Sequence, residues 1–219
     1  MILKTVNLVA RNCLGSGFTH LRYLRTTCAV SSFKIYTGLG DKGRSSTYTG
    51  QRLPKNHDIF QALGSIDELS SWLGIAREMA KEKNHSYGDQ LQRVQCVLQD
   101  VMSVVATPKT TSKERHEPIH QLMSTELVTE LEQWIDTMTA ELPPLRNFIL
   151  PGGDPLSSHL HVARTVCRRA ERNVVSLLAT QELDPVCMKY LNRLSDFLFT
   201  LARYSLFLEG KTEVVYTKP

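Results

Sequence analysis

Beyond residue 55 the apolar positions recur at helical spacing. Ile59, Leu63, Ile66, Ser70 and Leu73 stand four, three, four and three residues apart, which predicts a helix over about 57–82. Leu91, Val94, Leu98, Val101, Met102 and Val105 form the stripe of a second helix over about 89–106, ended by Pro108. The polar stretch 108–122, broken by Pro118, predicts a mobile loop. Leu127, Leu131, Trp134, Ile135 and Met138 predict a third helix over about 125–141, stopped by Pro143-Pro144. Two more helices share a start signal. Asp154-Pro155 and Asp184-Pro185 each place a hydrogen-bond acceptor at the N-cap and a proline at the first helical position. They predict helices over about 155–181 and 185–209, the latter closed by Gly210. No run of strand alternation is sustained. The pattern is that of an all-α bundle of five helices.

The remaining segments differ in character. Residues 33–55 carry Gly38, Gly40, Gly43, Gly50 and Pro54 with Ser45, Ser46 and Thr47, a density that predicts a loop. Residues 1–34 hold Lys4, Arg11, Arg22, Arg25 and Lys34 and no acidic residue. An Arg-bearing, Ser/Thr-rich, acid-free leader predicts a mitochondrial transit peptide, assigned to 1–32, with residues 33–219 as the folded domain.

Charge and composition narrow the classes. The net charge of +4 resides in the leader: beyond residue 34 the chain has 21 basic and 22 acidic side chains, a net of −1. That balance does not describe a nucleic-acid-binding surface. No stretch approaches the ~20 apolar residues of a membrane span; Asp196 and Arg203 interrupt the best candidate, Leu194–Leu208. Five cysteines without a Cys-x-x-Cys pair fit reduced thiols better than a disulfide framework or a zinc site.

Three constellations could carry chemistry. Gly38-Leu39-Gly40-Asp41-Lys42-Gly43 has Gly-x-Gly-x-x-Gly spacing, but no preceding strand or βαβ unit supports a dinucleotide fold. Its exposed backbone amides can still cradle an anion, helped by Ser45, Ser46, Thr47, Lys42 or Lys55; a plain surface turn is the alternative. In the fourth helix Arg164, Arg168, Glu171 and Arg172 fall within one arc beside the apolar stripe Leu160, Ala163, Cys167, Ala170, Val174 and Leu178. A row at a bundle edge can collect a polyphosphate. It can also be a solvated face on which Glu171 pairs with its own arginines across a turn. Phe148, before Pro151-Gly152-Gly153, reads on its own as a core anchor for the loop, and Asp67 and Glu68 as solvated or salt-bridged. On the fifth helix Asn192, Asp196, Phe199 and Arg203 share a stripe. Glu117-x-x-His120 has the spacing of a di-iron ligand pair, but Pro118 should break its helix and no second copy exists, so no protein metal site is predicted.

In order, these motifs resemble the PduO-type ATP:cob(I)alamin adenosyltransferases: Thr37 with Gly40-Asp41-Lys42-Gly43, Ser45-Ser46, Pro54-Lys55, Gly64-x-x-Asp67-Glu68-Leu69, Phe148 to Gly153, Arg164-x-x-x-Arg168-Arg169-Ala-Glu171-Arg172 and Leu191 to Asp196. The resemblance spans about Lys34 to Tyr216, and the leader is similar to those of the family's mitochondrial animal branch. It implies a five-helix bundle assembled as a homotrimer with active sites between subunits. It implies transfer of the 5′-deoxyadenosyl group of ATP to cob(I)alamin, with Mg²⁺, in the mitochondrial matrix, and hand-off of the product to methylmalonyl-CoA mutase. By the family pattern Thr37, Gly38, Leu39, Gly40, Ser45, Ser46 and Lys55 hold the phosphates. Arg168, Arg169, Glu171, Arg172 and Asn192 complete the nucleotide site. Asp67 of one subunit pairs with Arg164 of the next, and Phe148 displaces the lower axial ligand of the corrin. The first loop departs from the usual Thr-Lys/Arg-Thr-Gly-Asp, having Gly38-Leu39 there, and Leu53 stands where an arginine is common. A module that only delivers adenosylcobalamin would keep the corrin face without needing the phosphate loop.

Overall fold

Prolines and capping aspartates set the helix ends. In a computed structural model, which describes residues 36–180 and 183–218, five long helices form: α1 (Asp58–Glu82), α2 (Gly88–Val105), α4 (Thr125–Glu141), α5 (Pro155–Ala179) and α6 (Pro185–Leu208). The predicted leader, residues 1–32, lies outside the described residues, as does the end of the fourth predicted helix at residue 181. Asp154 caps α5 by accepting from the Ser157 amide at 2.7 Å, and Asp184 caps α6 by accepting from Val186 at 3.0 Å.

The one-turn helix α3 (Glu117–His120) corrects an expectation. Pro118 does not break it, because proline is tolerated in a helix's first turn, where its missing N–H has no partner to lose. The stretch read as a mobile loop is folded into α3 and two single 3₁₀ turns, Lys109–Thr111 and Glu114–His116.

From Gly38 onward the described residues form one compact unit. Within it α1 packs on α2 and α5, and α6 packs on α5 and α4, so α5 lies in the middle of the series α2–α1–α5–α6–α4. The predicted stripes supply the core: Ile66, Leu69 and Leu73 of α1, Leu91 and Leu98 of α2, Leu160, Cys167 and Ala170 of α5 and Leu191, Leu194 and Phe197 of α6 are fully buried. Each large side chain so buried contributes about 1.5–3 kcal/mol. Leu178 is only partly buried, and Leu177 takes the core position beside it. Cys96, Cys167 and Cys187 are free thiols.

Two short antiparallel pairs were not expected. β1 (Arg44–Ser46) pairs with β2 (Arg52–Pro54), with Ser45 opposite Leu53, inside the glycine-rich region. β3 (Ile149–Leu150) pairs with β4 (Val214–Val215), joining the α4–α5 connection to the chain after α6. Strands of two or three residues leave no alternation to read; the partner strand, not local pattern, makes them.

Candidate active site

The glycine-rich loop is a folded hairpin. The Asp41 and Gly43 amides close turns onto the Gly38 and Gly40 carbonyls, so these two donors are not free for an anion. Lys55 donates its backbone N–H to the Gly43 carbonyl at 2.9 Å. Its ammonium lies against Gly40, where a Cβ would come within 2.9 Å of Nζ. Glycine at 40 therefore lets a positive charge rest on the loop backbone. Arg52 donates to the Leu39 carbonyl at 3.0 Å, and Arg44 to the Arg52 carbonyl at 2.7 Å. Arg52 thus brings a guanidinium to Gly38-Leu39, a stretch of the loop without a basic residue of its own. Thr37, Gly38 and Leu39 are exposed, Gly40 and Ser45 half-buried, and Ser46 exposed.

The hairpin is bolted to the bundle by contacts that the sequence did not point to. Buried Thr47 shares a hydrogen bond with Thr49 at 2.9 Å, and Thr49 shares one with Thr111 at 2.8 Å. The Tyr48 amide donates to the Ala106 carbonyl at the end of α2, at 2.7 Å. These bonds fix the hairpin whose strands carry Ser45 and Ser46 and lead into Lys55.

The arginine row lies on α5, which has neighbours on both sides. Arg169 is ion-paired to Glu68 of α1. Glu171 accepts from Asn192 of α6 at 2.8 Å. The expectation that Glu171 pairs with its own arginines is therefore overturned: the α6 amide is the nearer partner across the helix seam. Arg172 donates to the Arg168 carbonyl at 3.2 Å. The Arg168 guanidinium is exposed and donates no hydrogen bond among the described residues. Arg164 is half-buried, and its Nε is fully enclosed without a partner. Burial, and then the like charge of Arg168, pull its pKa below the ordinary arginine value. Asp67 is exposed on α1, immediately before Glu68, the partner of Arg169. Within the row Arg168 thus presents a positive charge with no partner among the described residues, which suits a polyphosphate.

Phe148 corrects a second expectation. It is 85 % exposed and anchors no core. Its backbone is nevertheless held: its carbonyl accepts from the Tyr216 amide at 2.8 Å, next to the β3–β4 pair. After it the chain turns tightly at Gly153, whose φ of +93° and contact with Leu206, 2.7 Å from where a Cβ would sit, exclude a larger residue. Leu150, Val214, Val215 and Tyr216 are also exposed, giving Phe148 an apolar surround.

Known proteins share this fold. The model of the cobalamin adenosyltransferase family matches residues 35–205. The chain belongs to that family. The human corrinoid adenosyltransferase MMAB is 52% identical over 185 residues, covering 84% of this chain and 74% of that one. The Bacillus subtilis corrinoid adenosyltransferase is 37% identical over 185 residues, covering 84% of this chain and 93% of its own. Among solved structures, a phenylalanine-to-alanine variant of the PduO-type ATP:corrinoid adenosyltransferase from Lactobacillus reuteri, complexed with cobalamin and ATP, superposes with a TM-score of 0.74. It is 35% identical and covers 84% of this chain and all of that one. The five-helix bundle expected from the resemblance is the fold found.

Within the family frame, two polar ties had no sequence signal beyond residue type. Asn173 donates to Ser65 at 2.7 Å, locking α5 to α1 one residue past Arg172. Arg203 of α6 is buried, ion-paired to Glu213 and donates to the Pro143 carbonyl at 2.9 Å. The one hint was Arg203 interrupting the apolar run that follows Asp196.

Among the described residues no group of three or more His, Cys, Asp or Glu side chains could hold a metal ion. His120, whose spacing from Glu117 drew notice, instead shares a hydrogen bond with Ser112 at 2.8 Å.

Proposed function

We propose that this chain is a corrinoid adenosyltransferase, moving the 5′-deoxyadenosyl group of ATP onto cob(I)alamin. The observation that carries the reading is the uncompensated charge on α5: among the described residues Arg168 donates to nothing, and Arg164 keeps a buried donor unpaired. Buried donors left unpaired cost about 1–3 kcal/mol each, so such a row is retained for something that completes it.

The chemistry needs little from the protein in the way of acid or base. Cob(I)alamin is itself the nucleophile. Its cobalt attacks the ribose 5′ carbon, the C5′–O bond breaks, and triphosphate leaves with the electron pair. The leaving group gains negative charge as the bond lengthens. Arg168, Arg169 and Arg172 on α5 and Lys55, Ser45 and Ser46 on the hairpin supply positive charge and donors to that group; Thr37, Gly38, Leu39 and Gly40 supply the loop backbone. Donors placed where charge develops are worth about 10²–10³ in rate each. Glu171, oriented by Asn192, is the carboxylate that would hold a Mg²⁺ ion accompanying ATP, one or two carboxylates plus phosphates being the usual protein environment of that ion. Bound there, the ion would neutralise phosphate charge.

Phe148 serves the other substrate. An exposed ring on a held backbone can occupy the lower face of the corrin and displace the axial ligand, which eases reduction of cob(II) to cob(I). An apolar ring there also keeps water from taking the ligand's place.

The active unit in this reading is a homotrimer with sites between subunits. Exposed Asp67 of one copy is the proposed ion-pair partner of the half-buried Arg164 side chain of the next. The acid-free leader supports import to the mitochondrial matrix, where methylmalonyl-CoA mutase is the proposed recipient of the product.

The test is direct. The purified protein, given ATP, Mg²⁺ and chemically reduced cobalamin, should form alkylated cobalamin and triphosphate in equal amounts, and sediment as a trimer. Cobalamin binding with no alkylation would replace this reading with that of a delivery protein.

A further inference from the structure

Phe148 needs a fixed position, yet its own side chain makes no core contact. Its neighbours on the N-terminal side, residues 143–147, are all exposed. What holds it is therefore backbone: the β3–β4 pair and the bond from the Tyr216 amide. Two paired residues cannot stand alone. Both strands must be rooted in the bundle, and their roots converge on one side chain.

That side chain is Arg203. It lies on α6 with only 8 % of its side chain exposed. Its Nε pairs with Glu213, the residue immediately before β4. Its Nη2 donates to the carbonyl of Pro143, five residues before Phe148, at 2.9 Å. The end of α4 is separately secured, since Tyr204 donates to Glu141 at 3.0 Å, so Arg203 is not required to hold that helix. A guanidinium is the one cation whose rigid fork serves two acceptors in different directions. Burying it is costly unless both it and the carboxylate are paired.

We propose that Arg203 is a positioning residue for Phe148. Through Glu213 it roots β4, through Pro143 it roots the segment leading to β3, and together these set where the Phe148 ring stands. The inference rests on the reading of Phe148 as the residue that displaces the axial ligand. It adds a residue, outside the arginine row and the phosphate loop, on which reduction of the corrin depends. Displacements of about 1 Å originating far from the reacting atoms can cost about 10²-fold, so a loosened root is enough to be felt.

The experiment uses Arg203→Lys and Glu213→Gln in the full chain. Lysine keeps the charge but cannot span both acceptors; glutamine keeps the shape of Glu213 but not its charge. Adenosylation is followed from cob(II)alamin with a weak reductant and, separately, from chemically prepared cob(I)alamin, which has no axial ligand to lose. Hydrogen exchange is followed at residues 148–150 and 214–216. The expected result is faster exchange in both segments and a cob(II)-to-cob(I) rate ratio about tenfold or more below that of the unsubstituted protein. ATP affinity should stay unchanged. Unchanged exchange, or equal loss of both rates with a lowered melting temperature, overturns the proposal. Phe148→Ala run alongside separates the two readings. If it leaves the rate ratio unchanged, the reading of Phe148 fails and exchange alone judges whether Arg203 roots the strands. If it lowers the ratio while Arg203→Lys does not, the positioning role is the part that fails.

Discussion

The N-terminus and the middle of α5 carry charge in opposite conditions. At its N-terminus Asp154 is enclosed, with 2 % of its side chain exposed, and every acceptor is used: Ser157 donates at 2.7 Å, and Lys83 and Lys211 each approach to 3.1 Å. Glu209 completes the cluster by pairing with Lys83 at 2.8 Å. Burial raises the Asp154 pKa, but the Ser157 amide and the two lysines outweigh it and hold the carboxyl below its ordinary value. Three turns on, Arg164 has a buried donor with no partner and Arg168 has none at all within the described residues. One set of charges satisfies itself and ties α1, α5 and the end of α6 together. The other is left for molecules outside the chain. Charge that the fold completes belongs to stability, and charge that it leaves incomplete belongs to binding.

That contrast can be broken at either end. The largest effect belongs to Arg168→Ala, which should lower turnover about 10²–10³-fold, measured with saturating cobalamin and ATP. Asp154→Ala should instead cost about 2–4 kcal/mol of folding stability in denaturant titration, because it removes a helix cap and leaves lysines without their acceptor.

A subtler test lies between the two sets of charges. His161 is buried on α5 one turn before Arg164, edge-on to Phe199. Burial, then the positive charge of Arg164, hold its pKa down to about 4, against the pull of Glu213. A base depressed in the folded state binds fewer protons there than when unfolded. Its contribution is therefore complete above pH 6.5, the ordinary value, and is lost as pH falls from there toward 4. His161→Gln should remove about 2–3 kcal/mol of that pH dependence, read as a flatter stability profile across the window.

The smallest effect on stability is expected at Phe148. Truncating a ring that is 85 % exposed should change unfolding free energy by no more than about 0.5 kcal/mol, while adenosylation from cob(II)alamin is badly impaired. A loss of several kcal/mol would return Phe148 to the core role that its sequence context alone suggests.

The helices were legible because their signals are local. The stripe through Ile59, Ile66 and Leu73, the capping aspartates Asp154 and Asp184 and the stops at Pro108 and Gly210 need no distant partner, and the observed ends fall within a residue or two of those expected. The candidate site was legible as residue types in order, but not as contacts. Nothing near Glu171 in sequence indicates Asn192, and nothing near Phe148 indicates Tyr216, 68 positions away by number and opposite it in the strand pair. The hairpin at Arg44–Pro54 was hidden for the same reason, and because its glycines dominate the local pattern. Pro118 misled because proline's meaning depends on whether it opens a helix or interrupts one.

The most direct test of the contrast is a crossed measurement of ATP affinity and thermal unfolding on Arg168→Ala and Asp154→Ala. The account predicts opposite columns. Arg168→Ala should lose about 1.5–3 kcal/mol of ATP binding with its melting temperature nearly unchanged. Asp154→Ala should melt earlier while binding ATP normally below its transition. An Arg168→Ala protein that melts early and binds ATP as tightly as the unsubstituted chain would contradict it.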